Sequence, residues 1–432
     1  MGDDDGSTDG FMKKTQYSDP YKQFNPISRK FTFLSNKTQS GSRKLRRIKS
    51  LLALYLATFV LRLGFGQIAL ILPWKLADLG VSYQSLGFIM ASNSLAEMLA
   101  AFPAGFLSDR FKRKPIIVVG LAGASFSFLL YLLANSGKML FVAHATLGIF
   151  EAMTISPVLA AIVDRTTVGE RGQAMGLYNS VVTASYVLGP AFAGIVSGKW
   201  GKNVPFILSS LLAFISMISV LFLLREEDIP KMEAKNILKE FIGAVKDVRT
   251  AILLLVWVGA SAILAIGASF IPVYLRGLGF TEYQAGWAFA ILAAILVSSY
   301  VIFGRISETI GKGRMSSFGL AMVSIGAFFI GLGRTGRSMT IGSALIGLGA
   351  GSFAPAAMAL LADISPESTR GSLMGAYDMS FALGGFLGPS FAGLIVGRFG
   401  FRSLFWFSSL ILVVCTIPFA LMLREDSKRS LS

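Results

Sequence analysis

Four ionisable residues lie inside otherwise apolar stretches of this chain: Arg62, Glu97, Glu151 and Asp378. A charge at the centre of a membrane span costs about 2.5–3.5 kcal/mol on insertion scales, so each is a candidate for ion pairing, proton binding or solute contact. Burial raises a carboxyl pKa and a nearby cation lowers it, so an acid beside an arginine can be poised to take up or release a proton. Glu97 follows Asn93 by one helical turn, forming a polar strip. His144, Gly148 and Glu151 are spaced i, i+4 and i+7, which places them on one helical face. The alternative role for all four charges is a buried ion pair that fixes helix packing. Enzyme chemistry finds no constellation: there is no Ser/His/Asp set, and no Gly-x-x-x-x-Gly-Lys-Ser/Thr loop for a nucleotide. His144 is the only histidine and Cys415 the only cysteine, which excludes a histidine metal cluster, an intramolecular disulfide and a thiol redox pair. No metal and no cofactor is expected.

The elements that carry these residues are apolar blocks of about 20 residues, the length of helix that crosses a bilayer. Twelve are read, over 51–74, 82–104, 115–136, 139–163, 172–197, 203–224, 251–275, 282–303, 315–333, 340–362, 371–397 and 402–423. With 53% hydrophobic and 15% charged residues, and a mean hydropathy of +0.64, the chain could not cover its surface as a soluble protein. Lipid offers the backbone no hydrogen bonds, so the spans must be helices; the short alternating strands of a membrane barrel are missing. The net charge of +16 reports orientation rather than a nucleic-acid partner. With residues 1–50 inside, the inner segments hold 30 of the 40 Lys and Arg residues and the outer loops 9, so both termini are expected in the cytoplasm, with the chain multi-pass in the plasma membrane. Residues 1–50, acidic at the start and basic at the end, are expected to be a disordered cytoplasmic tail whose basic end rests on anionic headgroups. No cleaved signal peptide is read in them. Residues 225–250 are expected as a cytoplasmic linker with an amphipathic helix (Ile237, Leu238, Phe241, Ile242, Val245), and 425–432 as a short cytoplasmic tail.

The sequence also repeats at a fixed offset of 199 residues. Pro73 recurs as Pro272, Gly80 as Gly279, Gly87 as Gly286, Gly105 as Gly304, Asp164 as Asp363, Gly189-Pro190 as Gly388-Pro389 and Gly201 as Gly400. The fold class is therefore an all-α membrane protein with twelve transmembrane helices in two pseudo-symmetric six-helix bundles, 51–224 and 251–424, of the kind that transporters rock about a central path. Matching positions read as shared machinery. The breaks are Arg62 against Ser261, Glu97 against Leu296, Glu151 against Ala350, and Asn179 against Asp378, each of the last two following a tyrosine. Those breaks are where substrate and proton chemistry is expected.

The loop Gly105-Phe106-Leu107-Ser108-Asp109-Arg110-Phe111-Lys112-Arg113 and its counterpart Gly304 to Lys312, which carries Glu308, place an acid four residues after a glycine in both halves. Over residues 51–424 the chain resembles the major facilitator superfamily through this signature. The resemblance implies that Asp109 latches the outward-facing state against the start of the eleventh span near Gly371. It also implies that Arg113 reaches Asp164, with Glu308 and Asp363 as second-half partners and Arg110 within the same loop. The family's usual glycine is here Lys112, so a different turn is expected. Gly176, Ser185, Gly189-Pro190 and Ala193-Gly194, repeated as Gly375, Gly384, Gly388-Pro389 and Ala392-Gly393, resemble the antiporter motif of the drug/proton exchangers. Generic close packing explains the same residues. On the fourth span His144 stands where those exchangers often carry arginine. Because the first and fourth spans line the cavity in the family, an Arg62–Glu151 pair is implied, with Glu151 carrying or gating the proton.

Three functions remain open: proton-coupled export of a small amphiphilic or drug-like compound, proton-coupled uptake of a small metabolite or organic anion drawn by Arg62, and a non-transporting membrane sensor. The expected partners are a small-molecule substrate, protons and the lipid bilayer, with a monomeric chain.

Overall fold

The computed structural model describes residues 26–225, 247–332, 336–364 and 370–429. Apart from residues 225 and 247–250, the expected linker lies outside the described residues, as do the first 25 residues and the last three. By their contacts, residues 1–48 form one unit, whose described part is the start of the first helix, and residues 49–432 form another. Among the described residues all eleven regular elements are helices: α1 Pro26–Asp78, α2 Tyr83–Phe111, α3 Arg113–Leu133, α4 Gly137–Asp164, α5 Val168–Trp200, α6 Val204–Leu223, α7 Val248–Gly277, α8 Glu282–Ile310, α9 Lys312–Leu332, α10 Gly336–Ile364 and α11 Arg370–Arg429. Every one contains a stretch long and apolar enough to cross a membrane. The last is two helices in one run, broken at Gly400, whose φ of 78° and ψ of 174° are not helical. Its limbs, 370–399 and 401–429, are the eleventh and twelfth spans.

One expectation is corrected at the start of the chain. Helix begins at Pro26, so residues 26–50 are helical rather than disordered. Pro at the head of a helix loses no bond the helix needs, and the Lys, Arg and Leu that follow are good helix formers.

The 199-residue repeat is written into the backbone. Among the described residues six have positive φ, and they form three pairs at that offset: Gly80 with Gly279, Lys112 with Gly311, and Gly201 with Gly400. Each ends a helix where the chain must reverse, a conformation glycine adopts without steric cost. Lys112 takes it without being glycine (φ 73°, against 103° for Gly311), so the turn expected to differ is kept at the cost of strain. A left-handed residue with a Cβ costs about 1–2 kcal/mol. Lys112→Gly is therefore expected to raise stability by about 1 kcal/mol, read as an upward shift of the thermal unfolding midpoint in detergent.

Side chains repeat as well. Ser125 of α3 and Ser210 of α6 donate to each other's carbonyl oxygens at 3.0 Å. At the same offset, Ser324 of α9 donates to the Ser409 carbonyl at 3.0 Å. Small hydroxyls allow close helix approach and satisfy themselves where lipid cannot. Large apolar side chains such as Phe222, 76% exposed, lie outside, the arrangement expected where the surrounding solvent is hydrocarbon.

The halves meet along two crossings. In the first, α2 packs on α11, and a Cβ built on Gly87 would lie 3.1 Å from Gly393 Cα. In the second, α5 packs on α8, and a Cβ on Gly286 would lie 2.7 Å from Gly194 Cα. These four glycines are again offset partners, 87 with 286 and 194 with 393. Gly189 and Gly388, expected to serve helix packing and rocking, pack inside the halves. Gly66 of α1 lies against Gly189 and the ring of Pro190, while Gly388 meets Ala262 of α7. Only the Pro389 carbonyl reaches across, to the Gly87 position.

Candidate functional site

Three helices of the first half bring three charges together. Arg62 of α1 donates through Nη2 to Glu97 Oε1 of α2 at 2.9 Å, and through Nη1 to Glu151 Oε1 of α4 at 3.5 Å. Asn93, one turn before Glu97, donates from Nδ2 to Glu151 Oε2 at 3.0 Å and to the His144 carbonyl at 3.4 Å. Gly148 allows this approach, since a Cβ there would come within 3.0 Å of the Asn93 backbone. The environments of the two acids differ. Glu151 is 0% exposed and held by two donors, whereas Glu97 keeps 25% of its side-chain surface and has Arg62 as its donor. Arg62 is thus shared, with one positive charge between two carboxylates.

Two tyrosines of α5 complete the surround. The Arg62 guanidinium lies 5.9 Å from the Tyr186 ring centre, and Tyr178 is within its electrostatic reach. From the second half, Asp378 of α11 is within electrostatic reach of both Glu97 and Arg62. Asp378 has exposed surface, yet protein surrounds it on most sides, as befits a group lining a cleft. Asn179, its counterpart on α5, is half-buried. Arg62 Nε and Asn93 Oδ1 are buried without a hydrogen-bond partner.

His144 is occupied within the first half. The Tyr131 hydroxyl lies 2.6 Å from Nδ1, the ring also bonds the Met90 backbone, and Phe65 stacks on it at 6.4 Å. A neutral imidazole satisfies both contacts, with Tyr131 donating and the other ring nitrogen donating to the carbonyl. His144 therefore positions helices α3 and α4 and touches the charged cluster only through its carbonyl and Asn93.

The end of the bundle that carries Asp109 holds the loop residues. Arg113 donates from Nε to Asp164 Oδ2 at 3.2 Å and from Nη1 to Ser108 Oγ at 2.8 Å, and it pairs with Asp109. At the repeat offset, Lys312 donates to Asp363 at 2.5 Å. The Arg110 guanidinium covers the Phe111 ring, and Glu308 is exposed. Asp109 is also exposed, and the partner it meets is Arg113 of its own turn. The side chains of residues 371–375 lie outside the described residues, so its expected contact near Gly371 does too. Among the described residues, nothing lies within 4 Å of a Cβ built on Gly105 of α2 or Gly176 of α5, and one built on Gly304 meets Pro355 of its own half at 3.9 Å.

The opposite end is tied shut by residues the sequence reading passed over. Arg276, at the end of α7, pairs with Asp78, at the end of α1, at 2.5 Å, and donates to the Trp74 carbonyl at 2.8 Å. Lys202, in the turn after α5, reaches Asp78 at 2.8 Å and Glu282 of α8 at 3.1 Å. The result is a four-charge bridge between the halves. Partial burial works against the Lys202 ammonium, but hydrogen bonds to Asp78 and Glu282 outweigh it and lift its pKa above the ordinary lysine value. Its contribution is therefore complete below the unfolded lysine value, near about 10.4, and is lost as pH rises through the raised folded value. Labelling of a cysteine placed beside this end is expected to accelerate as pH rises above that range. Only the spacing of single charges in short loops signalled these residues, and that spacing does not name partners. Together, these contacts close the Asp78 end.

Comparison with known proteins agrees with this architecture. The family model described as Major Facilitator Superfamily matches residues 54–336 and 278–432. An uncharacterised MFS-type transporter of Methanocaldococcus jannaschii is 25% identical over 381 residues, covering 85% of this chain and 97% of that protein. Multidrug resistance protein 2 of Bacillus subtilis is 25% identical over 346 residues, covering 78% of this chain and 86% of its own length. The crystal structure of a bacterial homologue of the human lysosomal transporter Spinster, inward-facing and unoccupied, superposes with a TM-score of 0.77 at 18% identity, over 87% of this chain and 96% of that one. A charged cluster buried at a crossing of apolar helices, a fold doubled about its own repeat, and a match across nearly the whole bundle identify the chain as a multi-pass membrane transporter, not an enzyme, belonging to the major facilitator superfamily.

Proposed function

We propose that the protein exports a small amphiphilic, drug-like compound in exchange for protons, by alternating access of one central cleft. The observation that carries this reading is the sharing of Arg62 by Glu97 and Glu151. Uptake of an organic anion needs a cation with charge to spare. Here one arginine faces two carboxylates, and Asp378 adds a third negative group. A cationic or neutral amphiphile is favoured at such a site, and tyrosines and the unpartnered Arg62 Nε and Asn93 Oδ1 offer it ring faces and polar contacts. The curated relative named for multidrug resistance supports the same direction. The excess of Lys and Arg supports a cytoplasmic position for both termini, and with them the Asp109 end, in a plasma-membrane carrier. Closure at Asp78 then corresponds to a state closed on the outer side, as a carrier receiving solute from the cell requires.

Proteoliposomes with an imposed pH gradient and a panel of cationic, neutral and anionic compounds test this. Gradient-driven movement of cations or neutral amphiphiles against the proton flow is expected. Selective movement of organic anions with protons would overturn it in favour of uptake.

A further inference from the structure

We propose that the Asp78 end is held by two clasps of unlike chemistry, a charged one over the α5/α8 seam and an aromatic one over the α2/α11 seam. Opening of this end then begins at the charged seam and is governed by the ionic strength of the solution facing it. The inference rests on the reading of the protein as an alternating-access carrier. It depends neither on which solute is carried nor on what drives it.

The repeat supplies the comparison. Lys202, in the turn after α5, crosses to Glu282 at the start of α8 at 3.1 Å. Their partners at the 199-residue offset are Phe401, at the start of the second limb of α11, and Tyr83, at the start of α2. Those two rings meet edge to face at 5.3 Å. The backbone beside both pairs is alike: a Cβ built on Gly198 would lie 3.0 Å from Tyr283 Cβ, and one on Gly397 would lie 3.4 Å from Gln84 Cγ. The two contacts are therefore one place in a doubled fold, filled by an ion pair on one side and by rings on the other. The exchange extends to the neighbours. Lys202 is steadied by Asp78 of its own half at 2.8 Å, and Asp78 crosses to Arg276 of α7. Phe401 instead packs on Tyr274 at 5.2 Å and on Phe270 at 6.4 Å, both of α7. Likewise the Lys75 ammonium lies 5.7 Å from the Phe206 ring centre, whereas their offset partners Tyr274 and Phe405 are ring against ring at 5.5 Å.

The chemistry decides which seam yields first. Lys202 and Asp78 keep 43% and 36% of their side-chain surface, so water is already at hand when the charges part. Hydration then offsets most of the lost attraction, as it does for exposed ion pairs generally. Salt weakens such a clasp further, because the screening length falls from about 10 Å at 0.1 M to about 3 Å at 1 M. Rings that part expose apolar surface to water with nothing to offset it, and salt does not screen that cost. Phe270, wholly buried beneath the aromatic clasp, would be uncovered with it. Opening at the charged seam is thus the smaller step, and the aromatic seam parts last. Solute leaving through this end emerges past Lys202 and Glu282, and a dilute medium keeps the end closed longer than a concentrated one.

Thiol labelling tests the two clasps without any substrate. In a Cys415→Ser background, the single reporters Ser197→Cys on α5 and Val396→Cys on α11 replace buried offset partners, one below each clasp. A water-soluble maleimide reads their exposure in detergent micelles, each rate being divided by that of free mercaptoethanol at the same salt. Raising NaCl from about 0.05 M to about 1 M is expected to speed labelling of Ser197→Cys about fivefold and of Val396→Cys less than about twofold. Adding Glu282→Gln is expected to make Ser197→Cys label fast already in low salt, with most of its salt response lost, and to leave Val396→Cys at its parent rate. Adding Phe401→Leu is expected to speed Val396→Cys at every salt concentration while Ser197→Cys keeps its response. Equal responses at the two reporters, a response at Val396→Cys alone, or none at either would overturn the proposal. So would a full response that persists in Glu282→Gln. Folding of each variant is checked by its thermal midpoint. A salt response confined to Ser197→Cys in a protein that moves no solute in vesicles would defeat the carrier reading and leave the clasps standing. Transport with equal responses at both reporters would defeat the clasps alone.

Discussion

Replacing Arg62 by alanine is expected to destabilise the protein by about 3–5 kcal/mol, more than any other single change at the cleft. The substitution leaves Glu151 fully buried and Glu97 partly buried, with the cation that both share removed. Breaking a buried ion pair from one side strands an uncompensated charge, and that penalty exceeds the net worth of the pair itself. The thermal midpoint in detergent should fall by several degrees. A triple variant, Arg62→Met with Glu97→Gln and Glu151→Gln, replaces the cluster by neutral groups of similar size. It is expected to recover most of the lost stability and none of the pH-driven transport. Recovery of both would reduce the cluster to a packing device, and recovery of neither would mean that Arg62 contributes chiefly through its contact with Tyr186.

The second large effect concerns the seams. Adding one methyl at Gly87 or Gly286 places carbon 3.1 Å from Gly393 Cα or 2.7 Å from Gly194 Cα, against backbone that cannot step aside. Overpacking of this kind costs about 1–3 kcal/mol. Because the contact belongs to the closed Asp78 end, the cost falls on this state more than on the helices themselves. A shift of about 1.4 kcal/mol changes the balance between inward- and outward-facing states about tenfold. Gly87→Ala and Gly286→Ala are each expected to cut transport by that order while helix content by circular dichroism stays unchanged. The double variant should lose roughly the product of the two, since the seams share no partner. Gly267→Ala, where the nearest atom to the new Cβ is Ile271 Cδ1 at 3.5 Å, serves as the neutral control. Equal losses in all three would show that methyl groups disturb the helices generally.

Much of this architecture was legible in the residues alone, for reasons that are local. Span length follows from bilayer thickness, and helical structure from the lack of backbone partners in lipid. The repeat needs only identity at a fixed offset, and it foretold turn partners such as Gly201 and Gly400. Helix at residues 26–50 was missed because charge and low apolar content speak about lipid and solvent rather than about backbone conformation. The strained Lys112 was misjudged because the turn is dictated by the helices on either side, which override the preference of the residue between them.

The site divides along the same line. That Arg62, Glu97, Glu151 and Asp378 deserve notice is a statement about single residues in hydrocarbon, and such statements need no partner. Which of them meet is a different matter. The sequence suggested an Arg62–Glu151 pair; the fold adds Glu97 at the shorter distance and sets Asn93 on Glu151. Those contacts depend on the rotation of α1, α2 and α4 about their axes and on how closely they cross, which small residues such as Gly148 permit but do not announce. The bridge of Asp78, Lys202, Arg276 and Glu282 joins turns far apart in the chain, and no local pattern encodes such a meeting. Helix, span and repeat belong to the chain because they rest on interactions between near neighbours or with the solvent. Pairing, exposure and the open or closed state belong to the tertiary structure because they rest on where separate helices come to lie against one another.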